Sequence, residues 1–166
     1  MNSLLDSPTA SQCPAAGIEV SERGCFSVSD ESQSASDQKA AIAPMLSVRN
    51  GMRAIEFYRT AFGVEELFRV DDESGAVVAR LSVGGAEFWL ADGSPEHWNF
   101  SPESLGGGSV RMLMIVRDPD AAFERAVTAE AAVVWPVSDQ HGWRSGRIVD
   151  PFGHHWEIGT PLADGS

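Results

Sequence analysis

Asp150-Pro151-Phe152-Gly153-His154-His155-Trp156-Glu157-Ile158-Gly159 begins with turn chemistry and continues in alternation. Proline presets φ to about −65° at the second turn position, and glycine accepts the left-handed geometry that closes the turn. A strand is expected to follow. Successive strand residues point to opposite faces, so His155 and Glu157 share one face while Trp156 and Ile158 share the other. One face is therefore apolar and the other carries an imidazole and a carboxylate. Solvated charge opposite a core face would give the same pattern, so the rest of the chain has to decide between a structural strand and a site.

The chain has 166 residues, 43% of them hydrophobic, which suits one ordinary globular domain. Its net charge of −12 argues against nucleic acid as a partner, because phosphate binding needs a surplus of Lys and Arg. An anionic membrane surface is disfavoured for the same reason, and no run of about 18 apolar residues exists to span a bilayer. Met1-Asn2-Ser3-Leu4-Leu5-Asp6 has neither the basic start nor the apolar segment of a secretory signal, so a cytoplasmic protein is expected. Residues 1–40 are serine-rich and acidic with few apolar side chains, and disorder is the expectation there. Cys13 and Cys25 both fall in that leader and are read as ordinary thiols.

From Ala41 the composition changes. Ala41 to Val48 reads as a strand, and Asn50 caps a helix that runs to Phe62 with Ile55, Tyr58 and Phe62 as its apolar stripe. Gly63 closes that helix. Strands follow at Val64–Val70, Ala76–Val83 and Ala86–Ala91, the last two joined by Gly84-Gly85. After a proline- and glycine-rich linker at 93–108 the pattern restarts with a strand at Ser109–Val116. Asp118-Pro119 then caps a second helix lined by Phe123 and Val127, and Ala132–Trp135 forms a short strand ending before Pro136. Ser145–Val149 leads into the opening stretch.

The second half copies the first. A shift of 68 residues places Val48 on Val116, Arg49 on Arg117, Asn50 on Asp118, Ala54 on Ala122 and Glu56 on Glu124. The same shift places Gly85 on Gly153, Phe88 on Trp156 and Leu90 on Ile158. One offset that aligns both a helix and a hairpin beyond it marks an internal repeat. Each half is strand, helix, then three strands, a module that covers one sheet face with its helix and leaves the other open. The expected fold is α+β: two βαβββ modules, 41–92 and 109–161, related by a pseudo-twofold and forming a curved mixed sheet around a cleft, with 162–166 as a C-terminal tail. With Phe88, Trp156, Leu46 and Val116 beneath the helices, parity sends Ala43, Glu87, Trp89, Arg111, Leu113, His155, Glu157 and Arg147 to the cleft.

The repeat, the segment Ile-Glu-Phe-Tyr-Arg-Thr-Ala-Phe-Gly at 55–63 and the Asp-Pro-Phe-Gly-His-x-Trp-Glu-Ile run at 150–158 resemble the vicinal oxygen chelate superfamily, which includes glyoxalase I, the bleomycin-resistance proteins and the extradiol dioxygenases. The Gly146-to-Glu157 ending is similar to the PhnB-like branch. The resemblance covers about residues 41–161 and implies a homodimer whose cleft lies at the subunit interface. It also implies metal ligands at one point in the first and last strand of each module, which in this chain are Ala43, Trp89, Arg111 and Glu157. Only Glu157 could bind an ion, because alanine has no donor, the indole nitrogen donates hydrogen and guanidinium is permanently cationic. The expectation is therefore a cleft without the usual metal, in which Arg111 is held by Glu157 and Trp89 offers a flat surface to an aromatic or anionic small molecule. A purely structural Arg111–Glu157 ion pair is the bland alternative.

The competing reading is an enzyme: a lyase, isomerase or dioxygenase of the same superfamily, with Glu157 as a candidate base or with a divalent metal such as Zn, Ni, Mn or Fe on a non-standard set. His141, His155 and Glu157 could supply two imidazoles and a carboxylate for such a set. His141 and Trp143 are placed on a loop at the mouth of module two, where a lid would sit. Neither a nucleophile elbow nor a phosphate-binding Gly-rich loop occurs.

Overall fold

In a computed structural model, which describes residues 40–163, the two modules are present in the expected order. The serine-rich leader and its cysteines, Cys13 and Cys25, lie outside the described residues. Module one comprises β1 (Met45–Val48), α1 (Gly51–Phe62), β2 (Glu65–Asp71), β3 (Val77–Val83) and β4 (Ala86–Asp92). Module two comprises β5 (Arg111–Ile115), α3 (Pro119–Thr128), β6 (Ala132–Gln140), β7 (Trp143–Val149) and β8 (His155–Pro161). The linker carries a 3-10 turn at Pro95–His97 and the short helix α2 (Pro102–Leu105). The strands form two four-stranded sheets in the orders β1-β4-β3-β2 and β5-β8-β7-β6, each with one parallel pair, β1 with β4 and β5 with β8.

Local chemistry sets the ends of the helices. The Asn50 side chain accepts from the Arg53 amide at 3.0 Å, and Gly63 closes α1 at φ 67° with its amide on the Arg59 carbonyl. Asp118 caps α3 through the Ala121 amide, with Pro119 at the first helical position.

Three expectations are corrected. The first strand begins at Met45 and not at Ala41, so Ala43 precedes it and is exposed. Val127 is exposed, and α3 faces the core through Ala122 and Ala126 together with the half-buried Phe123, because the inward face is centred on the two alanines and not on Val127. β6 does not stop before Pro136 but runs on to Gln140, with the register shifting between Trp135 and Ser138. β6 is an edge strand, where a missing N–H costs no ladder bond and a bulge absorbs the proline. As expected of two βαβββ modules, each contributes its own four mixed strands, and a shared core joins the two.

That core centres on Trp156, which is fully buried among side chains of module one. Its ring lies 4.7 Å from Phe62, 5.5 Å from Tyr58 and 5.6 Å from Phe88. Beside it Asp150, only 4% exposed, receives a full set of donors. Its Oδ2 accepts from Tyr58 Oη at 2.7 Å and from Trp156 Nε1 at 2.9 Å. Its Oδ1 accepts from the amides of Phe152 and His154, both at 2.9 Å. The turn read from sequence is present: Gly153, at φ 88°, donates to the Asp150 carbonyl at 3.1 Å. A second tie between modules runs from His154 Nε2 to the Ser47 carbonyl at 3.0 Å.

Removing one partner from a buried charge network strands the others, which costs about 3–5 kcal/mol for a charge and about 1.5–3 kcal/mol for a single donor to a charged group. Asp150→Ala is expected to lose about 3–5 kcal/mol in urea unfolding and Tyr58→Phe about 1.5–3 kcal/mol, with the double substitution losing less than the sum. Additive losses would show that the two groups do not act together. Tyr58 is the single tyrosine. Burial, then the Asp150 charge, pushes its phenol well above the ordinary value, so as pH rises past about 10 the unfolded chain releases this proton first and stability falls. Absorbance at alkaline pH should show tyrosine ionising only together with unfolding.

Candidate functional site

β8 presents two faces because its neighbours fix its register. Trp156 and Ile158 enter the core, and His155 and Glu157 emerge on the open face. Parallel pairing with β5 sets Arg111 beside His155 and Leu113 beside Glu157. Antiparallel pairing with β7 sets Arg147 opposite Glu157, and β6 sets Trp135 opposite Arg147. One sheet face thus brings together Arg111, Arg147, His155 and Glu157, with indoles at its margin.

Their contacts are specific. Arg111 Nη1 lies 3.3 Å from Glu157 Oε2. Arg147 Nε donates to His155 Nδ1 at 3.1 Å, and its guanidinium lies over the Trp135 ring at 5.0 Å. A recess of about 360 Å³ is bounded by Arg111, Leu113, Trp143 and Glu157. Gly159 makes room beside it: a Cβ there would come 2.7 Å from the Ser145 Cβ, so only glycine lets β7 and β8 approach this closely. Leu113 also borders a smaller, mostly apolar space of about 220 Å³ at the seam between the sheets, where Glu87 joins Met112 and Trp156.

The other expected site residues lie elsewhere. Trp89 is on the module-one sheet, where its neighbours are Phe68, with ring centroids 6.0 Å apart, and Arg80, 5.6 Å from the ring centre. Arg80 in turn meets Glu87 at 3.7 Å. His141 and Trp143 do not form a lid. His141-Gly142 is a two-residue hairpin turn with φ of 51° and 78°, and Trp143 is the first residue of β7, paired with Gln140. Arg144 pins this hairpin to the start of α3, with two bonds of 2.6 Å to Asp120 and one of 2.8 Å to Asp139. The bonds to Arg144 hold the Asp120 carboxyl below its usual range. The same hairpin separates the alternative metal set, because Trp143 pairs with Pro161 at one end of β8 while His155 stands at the other. At the four positions implied by the family pattern, Ala43, Trp89, Arg111 and Glu157 provide one donor group between them, which does not fit a metal. Among the described residues no group of three or more His, Cys, Asp or Glu side chains converges on such a site.

Three residues of these faces escaped the sequence reading: Phe68, Arg80 and Trp135. A second offset would have found them, because 67 rather than 68 relates Phe68 to Trp135 and Arg80 to Arg147. The hairpin after β3 turns in two residues, whereas Asp150 and His154, joined by a backbone bond of 2.9 Å, leave three between them, so the shift changes by one between the strands.

The His155 imidazole is pushed below its ordinary value, first by burial and then by the charge of Arg147, with Arg111 adding to it. A neighbouring cation disfavours imidazolium, so removing it must raise the midpoint. An NMR titration should place His155 below the usual midpoint of about 6.5, and Arg147→Gln should move it upward. A downward or absent movement would mean that the two side chains do not meet in solution.

Comparisons with known proteins agree with this architecture. Residues 41–158 match the family model of the Glyoxalase/Bleomycin resistance protein/Dioxygenase superfamily. An uncharacterized Mycobacterium tuberculosis protein, Rv0887c, is 40% identical over 129 residues, covering 75% of this chain and 76% of its own. Among solved structures, TioX from Micromonospora sp. ML1 is 28% identical with a TM-score of 0.57, over 75% of this chain and 100% of that one. The fosfomycin resistance protein FosX from Listeria monocytogenes shares the fold at 14% identity and a TM-score of 0.60, over 76% of this chain and 97% of that one. With both repeats in place, the Asp-Pro-Phe-Gly turn between β7 and β8, and a family match over most of its length, the chain belongs to the glyoxalase/bleomycin resistance protein/dioxygenase superfamily.

Proposed function

We propose that this protein binds a small aromatic anion on the open face of module two, without a catalytic metal. The observation that carries this reading is the composition of that face: two guanidiniums and one imidazole share it with a single carboxylate, Glu157, and Arg111 and Glu157 continue it into the recess bounded by Trp143. Indoles give flat apolar surface and the arginines give fixed positive charge, which together suit a planar ring bearing an oxyanion. The PhnB-like ending of the sequence is compatible with such a role. A metal-dependent lyase or dioxygenase would need donors that Ala43, Trp89 and Arg111 cannot supply, whichever copy of the chain presents them.

The open faces also carry apolar side chains that a lone chain leaves in water. Met45, Leu113 and Ile115 are 57%, 55% and 60% exposed, and Phe68 is 45% exposed. A second copy laid across these faces would bury them and close the recess, so the binding form in this reading is a homodimer.

Three measurements on one preparation test the proposal. Protein purified without chelator is expected to hold only substoichiometric Zn, Ni, Mn or Fe. A planar acid such as 2-naphthoate, at about one hundred times its dissociation constant, should stabilise the fold by about 2.7 kcal/mol, with or without chelator. Sedimentation should show a dimer that Ile115→Glu dissociates. Stoichiometric metal, with ligand stabilisation lost on chelation, would overturn the metal-free reading.

A further inference from the structure

The internal repeat contains its own control for the charge on each open face. In module one, Arg80 lies over an indole and meets the Glu87 carboxylate at 3.7 Å. In module two, Arg147 lies over an indole and meets the His155 ring at 3.1 Å. The two diagonals are equivalent. Ser82 faces Glu87 and Val149 faces His155 across their strand pairs, and the 68-residue shift sets Glu87 on His155. Module two therefore has a neutral ring where module one has a counter-ion.

Arg147 is left without compensation. Among the described residues, Arg147 has no carboxylate partner within 4.0 Å. Glu157 stands directly opposite it in the register but sends its carboxylate to Arg111. A half-buried guanidinium gives up water that an anion would normally replace, and the face of Trp135 replaces it only in part. The donors left over point the same way. Arg147 spends Nε on His155, which leaves Nη1 and Nη2 for a parallel pair of bonds to an oxyanion. Because His155 Nδ1 accepts, the neutral ring carries its proton on Nε2 and is itself a donor.

We infer that Arg147 and His155, backed by Trp135, form the subsite that takes the ligand's anionic group, and that this group is a planar carboxylate. Arg111, already neutralised by Glu157, lines the recess without providing the main anion contact. The ring of the ligand then extends along the sheet toward the recess at Trp143. This assignment rests on the reading of that face as a ligand site.

The test uses isotopically labelled full-length protein, titrated with 2-naphthoate and with the uncharged 2-naphthalenemethanol while the Arg Nε–H and Trp indole resonances are followed. The acid should bind saturably and move the Arg147 and Trp135 signals. Arg147→Met should weaken the acid by about tenfold or more, with Arg147→Lys restoring part of it, while binding of the alcohol stays unchanged. Arg111→Met should change affinity for the acid by less than about threefold. A tenfold loss in Arg111→Met with none in Arg147→Met would overturn the assignment and leave the binding site standing. Equal weakening of acid and alcohol by Arg147→Met would make Arg147 a structural residue and also overturn it. If neither compound binds the unsubstituted protein saturably, the ligand site and its anion subsite both fall.

Discussion

A buried carboxylate with every lone pair occupied is the constraint on which the rest of this structure depends. Asp150 belongs to the turn of module two, but one of its donors, Tyr58, comes from the helix of module one. A charge in this position is tolerated only because four donors surround it, two side chains and two amides. The same oxygen that accepts from Tyr58 fixes the Trp156 indole, and Trp156 fixes which face of β8 is inside. The outward position of His155 and Glu157 thus follows from a hydrogen bond on the opposite side of the sheet. The core and the charged outer face of module two are joined through the pleat of a single strand.

Pseudo-symmetry explains why the open faces look alike in shape and differ in charge. Both third strands carry an arginine over an aromatic ring, at positions 80 and 147. Packing requires the core face to repeat, and it does: Phe88 and Leu90 become Trp156 and Ile158, all buried. No such requirement acts on the open face, where Glu87 becomes His155 and Trp89 becomes Glu157. One module therefore neutralises its arginine internally, and the other keeps it available. A duplicated scaffold can in this way keep one core pattern while its two open faces differ in charge.

Most of the fold was legible because its signals are local. Asn50, Gly63 and the Asp118-Pro119 pair each act on the backbone next to them, so the helix ends follow from the residues alone. Parity in β8 was legible for the same reason. Three features were not, and two of them depend on strands or side chains far away in the chain. Pro136 reads as a strand end until β6 is known to be an edge. Asp150 reads as turn chemistry until Tyr58 and Trp156 arrive beside it. His141-Gly142-Trp143 reads as a loop until Gln140 and Trp143 pair across it. The candidate site was legible by face but not by neighbour: Arg111, Arg147, His155 and Glu157 share a surface, whereas Trp89 and Glu87 belong to the other sheet.

The recess owes its shape to backbone proximity as much as to side chains. At the Ser145–Gly159 pair β7 and β8 come close enough that a methyl group on residue 159 would meet Ser145 and, 3.1 Å away, the Arg144 carbonyl. Any larger residue would have to push the strands apart, and β7 carries both Trp143 and Arg147 on its open face. A displacement there would move the indole that bounds the recess and the guanidinium beside it by similar amounts. The pair is also held from behind, because Arg144 on the reverse face of β7 is clamped to α3 through Asp120. The strand is thus fixed on one side by an ion pair and on the other by the absence of a side chain. The distance between the Trp143 indole and the Arg147 guanidinium is set by the fold, and under the proposed reading a preset spacing of this kind lowers the reorganisation that binding costs.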